Sequence, residues 1–311
     1  MNGKSFLAIA VSIFMIVSLY GIVNVTYPQN INRLNADGKL QDPDLTYYVI
    51  NGPFGSGHDL TILISKPLAQ INLYLMPLFF FSFFTASIYL FVSNFTKYPQ
   101  WTFILSPLSI LTVVLAQIFS IGFFWLVMYT YYKLKKNNKI YYKIFIPVGL
   151  MLMTLAHLWS GTILLTAFTF FVLWDSKKIY LAEISLVILI STILLYNFNP
   201  ISMLSIDYVK DSISSTQTIT TAITRNISLM FSSTLCFGLL IKEKINSLLK
   251  LFLPLFVMPF LLVSMLDFDW TDRLVLFMPL LAMSSILLSK LHERIEVKTI
   301  PLNTIESSIV R

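Results

Sequence analysis

Two aspartates that flank a proline, Asp42 and Asp44, are the first candidates for chemistry in this sequence. Carboxylate oxygens are the ligands that Mg²⁺ and Mn²⁺ prefer, so this pair could share a divalent cation where the chain turns. A solvated turn without any ligand explains the same residues, because Asp and Pro are both favoured in turns. Both interpretations stay open from the residues alone.

His58 and Asp59 follow a cluster of turn residues at 51–57. A histidine titrates near neutral pH, so His58 could bind a phosphate when protonated or could move a proton. Asp59 also suits the N-cap of a helix that begins with the apolar residues after it. In that alternative, His58 is an incidental neighbour of the cap.

His157 lies in a stretch, 144–174, that is otherwise free of ionisable groups. Ionisable residues at membrane depth are costly, which favours a functional interpretation of this histidine. Trp159, two residues later, could stack on a sugar ring or anchor the chain at a membrane interface. An interfacial His-Trp pair without a ligand is the alternative.

Arg273 heads an apolar run at 274–289 and follows Asp269 and Asp272. A guanidinium at the end of a membrane span can clamp a lipid-linked phosphate through two hydrogen bonds. The alternative is an ion pair with one of the two aspartates, which contributes little at a wet surface.

The composition identifies the setting in which these groups must act. The chain has 311 residues, is 56% hydrophobic and 12% charged, and has a mean hydropathy of +0.76. A soluble domain carries roughly 25% charged residues, so these values predict a multi-pass membrane protein and exclude soluble enzymes. The net charge of +7 is scattered through short loops, which is typical of membrane orientation and predicts no nucleic-acid partner. The single cysteine, Cys236, excludes an intrachain disulfide and a cysteine zinc site.

A helix needs about 20 apolar residues to cross a membrane, which makes the uncharged runs candidate spans. These runs are 5–32, 67–96, 98–132, 144–174, 184–206, 226–241, 251–266 and 274–289. Two of them, 98–132 and 144–174, are long and have lysines on both flanks, so we expect each to be a hairpin. The first hairpin would hold Ser106-Pro107 in its first half and 117–122 near its turn, and the second would turn outward at 156–161. The prediction is an all-α fold of about ten spans in a single domain, 1–311.

Charge distribution predicts the sides of the membrane, because cytoplasmic loops retain Lys and Arg. Both termini are expected in the cytoplasm, with a first outer loop at 27–66, a second at 199–225 and a frayed polar tail at 291–311. The basic residues on the outer side would be Arg33, Lys39, Lys66, Lys210, Arg225 and Arg273, and the others would lie inside. Every glutamate falls inside, and every aspartate except Asp175 falls outside.

The order of these features resembles the GT-C superfamily of integral-membrane glycosyltransferases and the related polysaccharide polymerases of the Wzy and EpsG type. The features are an N-terminal span, an outer loop with Asp and Tyr, Ser106-Pro107-Leu108, a basic loop, an outward turn at 156–161 and an outward Arg before a Pro-containing span. The resemblance implies that Asp44, or Asp42, is a catalytic base or a metal ligand. It also implies that Arg273 contacts the lipid phosphate and that His157 occupies the position of an outward-facing histidine.

The expected function is therefore a cell-membrane enzyme that moves a sugar from a polyprenyl-phosphate donor to a glycan or protein acceptor on the extracytoplasmic side. Asp42 and Asp44 are the candidate catalytic residues, with Mg²⁺ or Mn²⁺ as a possible cofactor. The candidate substrate-binding residues are His157, Trp159, Arg273, His58, Asp59 and Asp269. The alternatives are a repeat-unit polymerase, a transporter and a non-catalytic membrane subunit.

Overall fold

The computed structural model describes residues 59–71, 75–109, 115–175, 179–195, 215–266 and 279–299. Within these ranges the chain forms helices and no strand, which confirms the all-α fold class there. The helices are α1 (Asp59–Ile71), α2 (Leu75–Val92), α3 (Trp101–Leu105), α4 (Leu115–Asn137), α5 (Ile140–Ala156), α6 (Leu158–Asp175), α7 (Ile179–Leu195), α8 (Ser215–Lys242), α9 (Asn246–Leu266) and α10 (Leu280–Thr299). A 3₁₀ turn, Ser106–Ser109, continues α3.

The run 144–174 is a hairpin, as predicted, and its reversal lies at His157. This residue alone separates α5 from α6, and its backbone is extended with φ −157° and ψ 106°. Helix α5 runs antiparallel to α4, since Ser120 Oγ donates to the Met153 carbonyl near the end of α5. Helix α6 then returns along α4, because Phe171 packs on Tyr131 near the end of α4. The turn predicted at 156–161 is therefore confirmed.

The run 98–132 also begins and ends at one end of the bundle, as a hairpin requires, and residues 110–114, between its two helical parts, lie outside the described ranges. Phe95 packs on Tyr132 with ring centroids 4.8 Å apart, so the two flanks of the run lie together. Ser106-Pro107 occupies the first half, as predicted. Gln117 and Gly122, however, lie inside the 23-residue helix α4. Gly122 serves close helix packing rather than a turn, because a Cβ there would lie 2.7 Å from the Phe83 ring of α2.

Three predicted loops or tails contain helix instead. The last part of the first outer loop, from Asp59, belongs to α1, and the last part of the second, from Ser215, belongs to α8. The predicted frayed tail continues as helix α10 as far as Thr299. In each case the residues were polar enough to predict a loop or a tail, although they form part of a helix. The other residues of 27–66, 199–225 and 291–311 lie outside the described ranges.

Charged groups gather at one end of the described bundle. Lys136 Nζ donates to the Asn94 carbonyl, Lys135 pairs with Asp175, and Tyr132 shares a hydrogen bond with Ser247, so several chain turns meet there. We call this the basic end. The side chains of Asp59, Lys66, Arg225 and Lys298 are outside the description. The charged side chains that are described all belong to the basic end: Lys97, Lys133, Lys135, Lys136, Lys139, Lys143, Asp175, Glu183, Lys242, Glu243, Lys244, Lys250, Lys290, Glu293, Arg294 and Glu296. The opposite end, where α5 turns into α6, is the His157 end.

The sides of the bundle are apolar outside and contain small polar residues inside. Large exposed apolar side chains include Phe145, Val148 and Met151 on α5, Phe170 and Leu173 on α6, Val187, Ile190 and Leu194 on α7, and Phe231 and Leu235 on α8. Buried polar residues are mainly Ser and Thr, and many of them bond to a carbonyl of their own helix, as Thr130 does to Leu126. One described helix, Leu158–Asp175, has the length and apolar composition to cross a membrane. Shorter apolar helices include Ile140–Ala156 and Ile179–Leu194.

The close approach of α5 and α6 beside His157 depends on Gly161. A Cβ on this residue would lie 2.5 Å from the Thr154 Cα and 2.9 Å from the Met153 carbonyl oxygen. We expect Gly161→Ala to lower the thermal unfolding temperature in detergent, because forcing atoms into a packed core costs roughly 1–3 kcal/mol.

Gly238 is the matched control, because a Cβ on this residue of α8 would have no neighbour within 4 Å. Gly238→Ala should leave the unfolding temperature unchanged or raise it, since Ala is favoured over Gly inside a helix by roughly 0.5–1 kcal/mol. Equal unfolding temperatures for the two variants would contradict the tight contact at Gly161.

Candidate functional site

His157 forms the N-terminal cap of helix α6. Its Nδ1 accepts a hydrogen bond from the Ser160 backbone N–H at 3.0 Å, and its carbonyl accepts one from Gly161 at 2.8 Å. Side-chain acceptors at this position satisfy backbone donors that have no partner within the helix. With Nδ1 occupied as an acceptor, the neutral ring carries its proton on Nε2.

A hydrogen bond holds helix α1 against the break between α5 and α6. Thr61 Oγ1 donates to the Ala156 carbonyl at 2.7 Å, and Thr61 is 8% exposed. In a continuous helix this carbonyl would accept the N–H of Ser160, but that N–H is bonded to the His157 ring. Thr61 thus satisfies a carbonyl that the helix break leaves without its usual partner. The break and the docking of α1 depend on each other.

Further uncharged polar residues surround this joint. Ser120 of α4 donates to the Met153 carbonyl at 2.9 Å, and Gln117, one turn nearer the start of α4, is 1% exposed. Ser160 is fully buried, and its Oγ has no hydrogen-bond partner in the described part of the chain. Trp159 is partly buried and packs against the apolar core. The His157 end therefore combines a capped helix start with buried hydroxyl and amide groups.

The predicted site residues divide into two sets. His157 and Trp159 are described in full, and Asp59 is described as the first residue of α1, which starts beside the helix break. The other predicted residues lie outside the described ranges: Asp42, Asp44, His58, Asp269 and Arg273. Within the described ranges no group of three or more His, Cys, Asp or Glu residues could hold a metal ion. The predicted cation site belongs to the first outer loop, so it remains a prediction.

Asp175 forms a network at the basic end that the sequence did not reveal. Its side chain is 5% exposed, pairs with Lys135 at 2.7 Å and accepts a hydrogen bond from the Tyr131 hydroxyl at 2.9 Å. The neighbouring Tyr132 hydroxyl shares a 2.9 Å hydrogen bond with Ser247 of α9. The network joins α4, α6 and α9, and one signal was present: Asp175 is the only aspartate predicted on the inner side.

A second cluster at the basic end holds the polar extension of α10. The Tyr98 ring stacks on His292 with centroids 4.1 Å apart and planes 7° from parallel, and its hydroxyl donates to Glu296. This bond to the carboxylate raises the pKa of Tyr98, so the phenol stays protonated. Arg294 pairs with Glu243 at 2.8 Å. Sequence reasoning missed this cluster because it joins residues far apart in the chain.

No protein-family model, curated protein or solved structure matches this chain.

Thr61→Val tests whether α1 is held at the helix break. We expect this change to cost roughly 1–3 kcal/mol, because it leaves the buried Ala156 carbonyl without a partner. Hydrogen–deuterium exchange should rise in α1 and around 154–161, and the thermal unfolding temperature should fall.

Thr130→Val is the matched control, because Thr130 is 7% exposed and bonds to a carbonyl within its own helix. Its loss should leave exchange in α1 at the wild-type level. Unchanged exchange in α1 for Thr61→Val would show that this hydrogen bond does not fix the joint.

Proposed function

We propose that this chain is a multi-pass membrane protein that transfers a sugar from a polyprenyl-phosphate donor to a glycan or protein acceptor on the extracytoplasmic side. Its membrane location is supported by the apolar exterior of the bundle and by the buried Ser and Thr residues. Large exposed apolar surfaces are unusual in soluble monomers and typical of contact with lipid. With the basic end in the cytoplasm, as the positive-inside rule requires, the His157 end faces outward.

The hydrogen bond between Thr61 and the Ala156 carbonyl is the observation that carries the proposal. It attaches the helix that ends the first outer loop to the turn that holds His157. Asp42 and Asp44 precede this helix in the sequence, and the helix itself is held beside the histidine. This arrangement supports the gathering of the candidate groups on one side, which sugar transfer requires.

The chemistry assigned to each group follows from its type. Asp44 would take the proton from the acceptor hydroxyl as a general base. Asp42 and Asp44 would hold a divalent cation, since paired carboxylates suit Mg²⁺ or Mn²⁺. His157 and Arg273 would stabilise the negative charge that grows on the leaving lipid phosphate.

The remaining candidates would position the substrates. Trp159 would stack on a sugar ring, and His58, Asp59 and Asp269 would offer hydrogen bonds at the mouth of the site. The polyprenyl chain would lie along the apolar exterior of the helices. A donor with such a chain explains why this enzyme would reside in a bilayer.

Asp44→Asn tests the catalytic assignment in proteoliposomes. The probes are polyprenyl-phosphate glucose and polyprenyl-phosphate mannose, supplied separately with a glycolipid extract of the source membranes as acceptor. We expect transfer to fall by about 100-fold or more, because a general base contributes roughly 10²–10⁴-fold to a rate. Size-exclusion and thermal unfolding profiles should remain those of the wild type.

Asp37→Asn is the control, because it removes one carboxylate from the same loop and should leave transfer unchanged. The assignment fails if Asp44→Asn transfers sugar at the wild-type rate. A ladder of products on a gel, instead of a single shift, would identify a polymerase.

A further inference from the structure

The turn between α4 and α5 carries lysines that lack carboxylate partners. Asn137, Asn138 and Lys139 are exposed at its tip, and Asn138 has a left-handed φ of 42°. Lys133 lies over the Tyr129 ring at 5.4 Å, and Lys139 lies over the Tyr141 ring at 5.8 Å. Within the described part of the chain, Lys133, Lys136, Lys139 and Lys143 form no ion pair. We call residues 133–145 the basic turn.

Some cations at the same end are neutralised by nearby acids. Lys135, which belongs to the basic turn, pairs with Asp175, and Arg294 pairs with Glu243. Lys290 lies 3.3 Å from a Glu293 oxygen. Lys97, Lys242, Lys244 and Lys250 form no ion pair within the described residues, but they are spread over several turns. The basic turn gathers four such lysines in one segment, and the complementary partner of this segment must be an anion.

Apolar and aromatic residues of the basic turn identify what kind of anion fits. Ile140 is 69% exposed, Phe145 is 61% exposed, and Ile144 and Tyr141 are also exposed. This surface continues directly into the exposed apolar side of α5 at Val148. A soluble anion would neutralise the lysines but would leave the apolar side chains in water. A lipid covers both, because its acyl chains contact the apolar side chains while its headgroup meets the ammonium groups.

We infer that the basic turn is a binding surface for anionic phospholipid headgroups in the leaflet at the basic end. The headgroup phosphate lies between Lys139 and Lys143, and Tyr141 sits at the level of the interface, as aromatic residues do in membrane proteins. This inference rests on the membrane location proposed above and is independent of sugar transfer.

Lipid titration followed by native mass spectrometry tests the inference with the full-length protein in neutral detergent. The probes are phosphatidylglycerol and phosphatidylcholine. We expect the wild type to bind its first phosphatidylglycerol more tightly than phosphatidylcholine. Lys139→Gln/Lys143→Gln should weaken phosphatidylglycerol binding about 25-fold, because each lysine near a headgroup contributes roughly fivefold. Phosphatidylcholine binding should change by less than twofold.

Lys242→Gln/Lys244→Gln is the matched control. These two exposed lysines also lie at the basic end, but they flank Glu243, and their loss removes the same charge. The Kd for phosphatidylglycerol should stay within twofold of the wild type, and the thermal unfolding temperatures of both double variants should match.

Three results would overturn the inference. The wild type could show no preference for phosphatidylglycerol, or the two double variants could weaken its binding equally. Inorganic phosphate at constant ionic strength could also displace the bound lipid, which would show that the basic turn takes a soluble anion. Loss of sugar transfer in the Asp44 variant, or its persistence, would not affect any of these measurements.

Discussion

The free-energy cost of removing charged groups from water determines where charged side chains lie in this protein. A charged group in an apolar environment is unstable unless it is paired, hydrogen-bonded or able to reach water. Among the side chains that the structure describes, the charged ones lie at helix ends and turns at one end of the bundle. Where one of them is withdrawn from solvent, as Asp175 is, it is held by the Lys135 ammonium and the Tyr131 hydroxyl. The length of α6 before Asp175 carries no charge, so its exposed surface suits lipid better than water.

Inside the bundle, uncharged polar side chains form hydrogen bonds with backbone groups that would otherwise be unsatisfied. The reversal at His157 leaves backbone groups without their usual helical partners, among them the Ser160 N–H and the Ala156 carbonyl. The His157 ring satisfies the first, and Thr61 satisfies the second. Both bonds are needed because an unsatisfied polar group is costly away from water. The Thr61 bond also joins α1 to the turn between α5 and α6, so it holds segments that are far apart in the sequence together at the His157 end.

The sequence predicted the features of the fold that depend on the distribution of charge. It predicted less well the features that depend on the packing of helices. Lysines on both flanks of 144–174 predicted the reversal, and the structure confirms it at His157. Gly122, which was expected near the turn of the run 98–132, lies inside α4 and marks a close contact with α2, and a sequence does not distinguish a packing glycine from a turn glycine. The polar tail was expected to fray, but its charges match partners in other turns, such as Glu243 for Arg294. Such pairs depend on the tertiary fold, so residue spacing could not reveal them. Asp42, Asp44 and Arg273 stay predictions from sequence.

The separation of the two ends across a membrane is the central claim, and cysteine accessibility tests it most directly. Cys236 is the single cysteine of the chain and is buried, so Cys236→Ala provides a cysteine-free background. Ser56→Cys then reports on the first outer loop, and Asn137→Cys reports on the exposed basic turn. A membrane-impermeant maleimide added to intact cells should label the cysteine at position 56, and it should label the one at position 137 only after the membrane is permeabilised. Labelling of both positions from the same side would contradict the account.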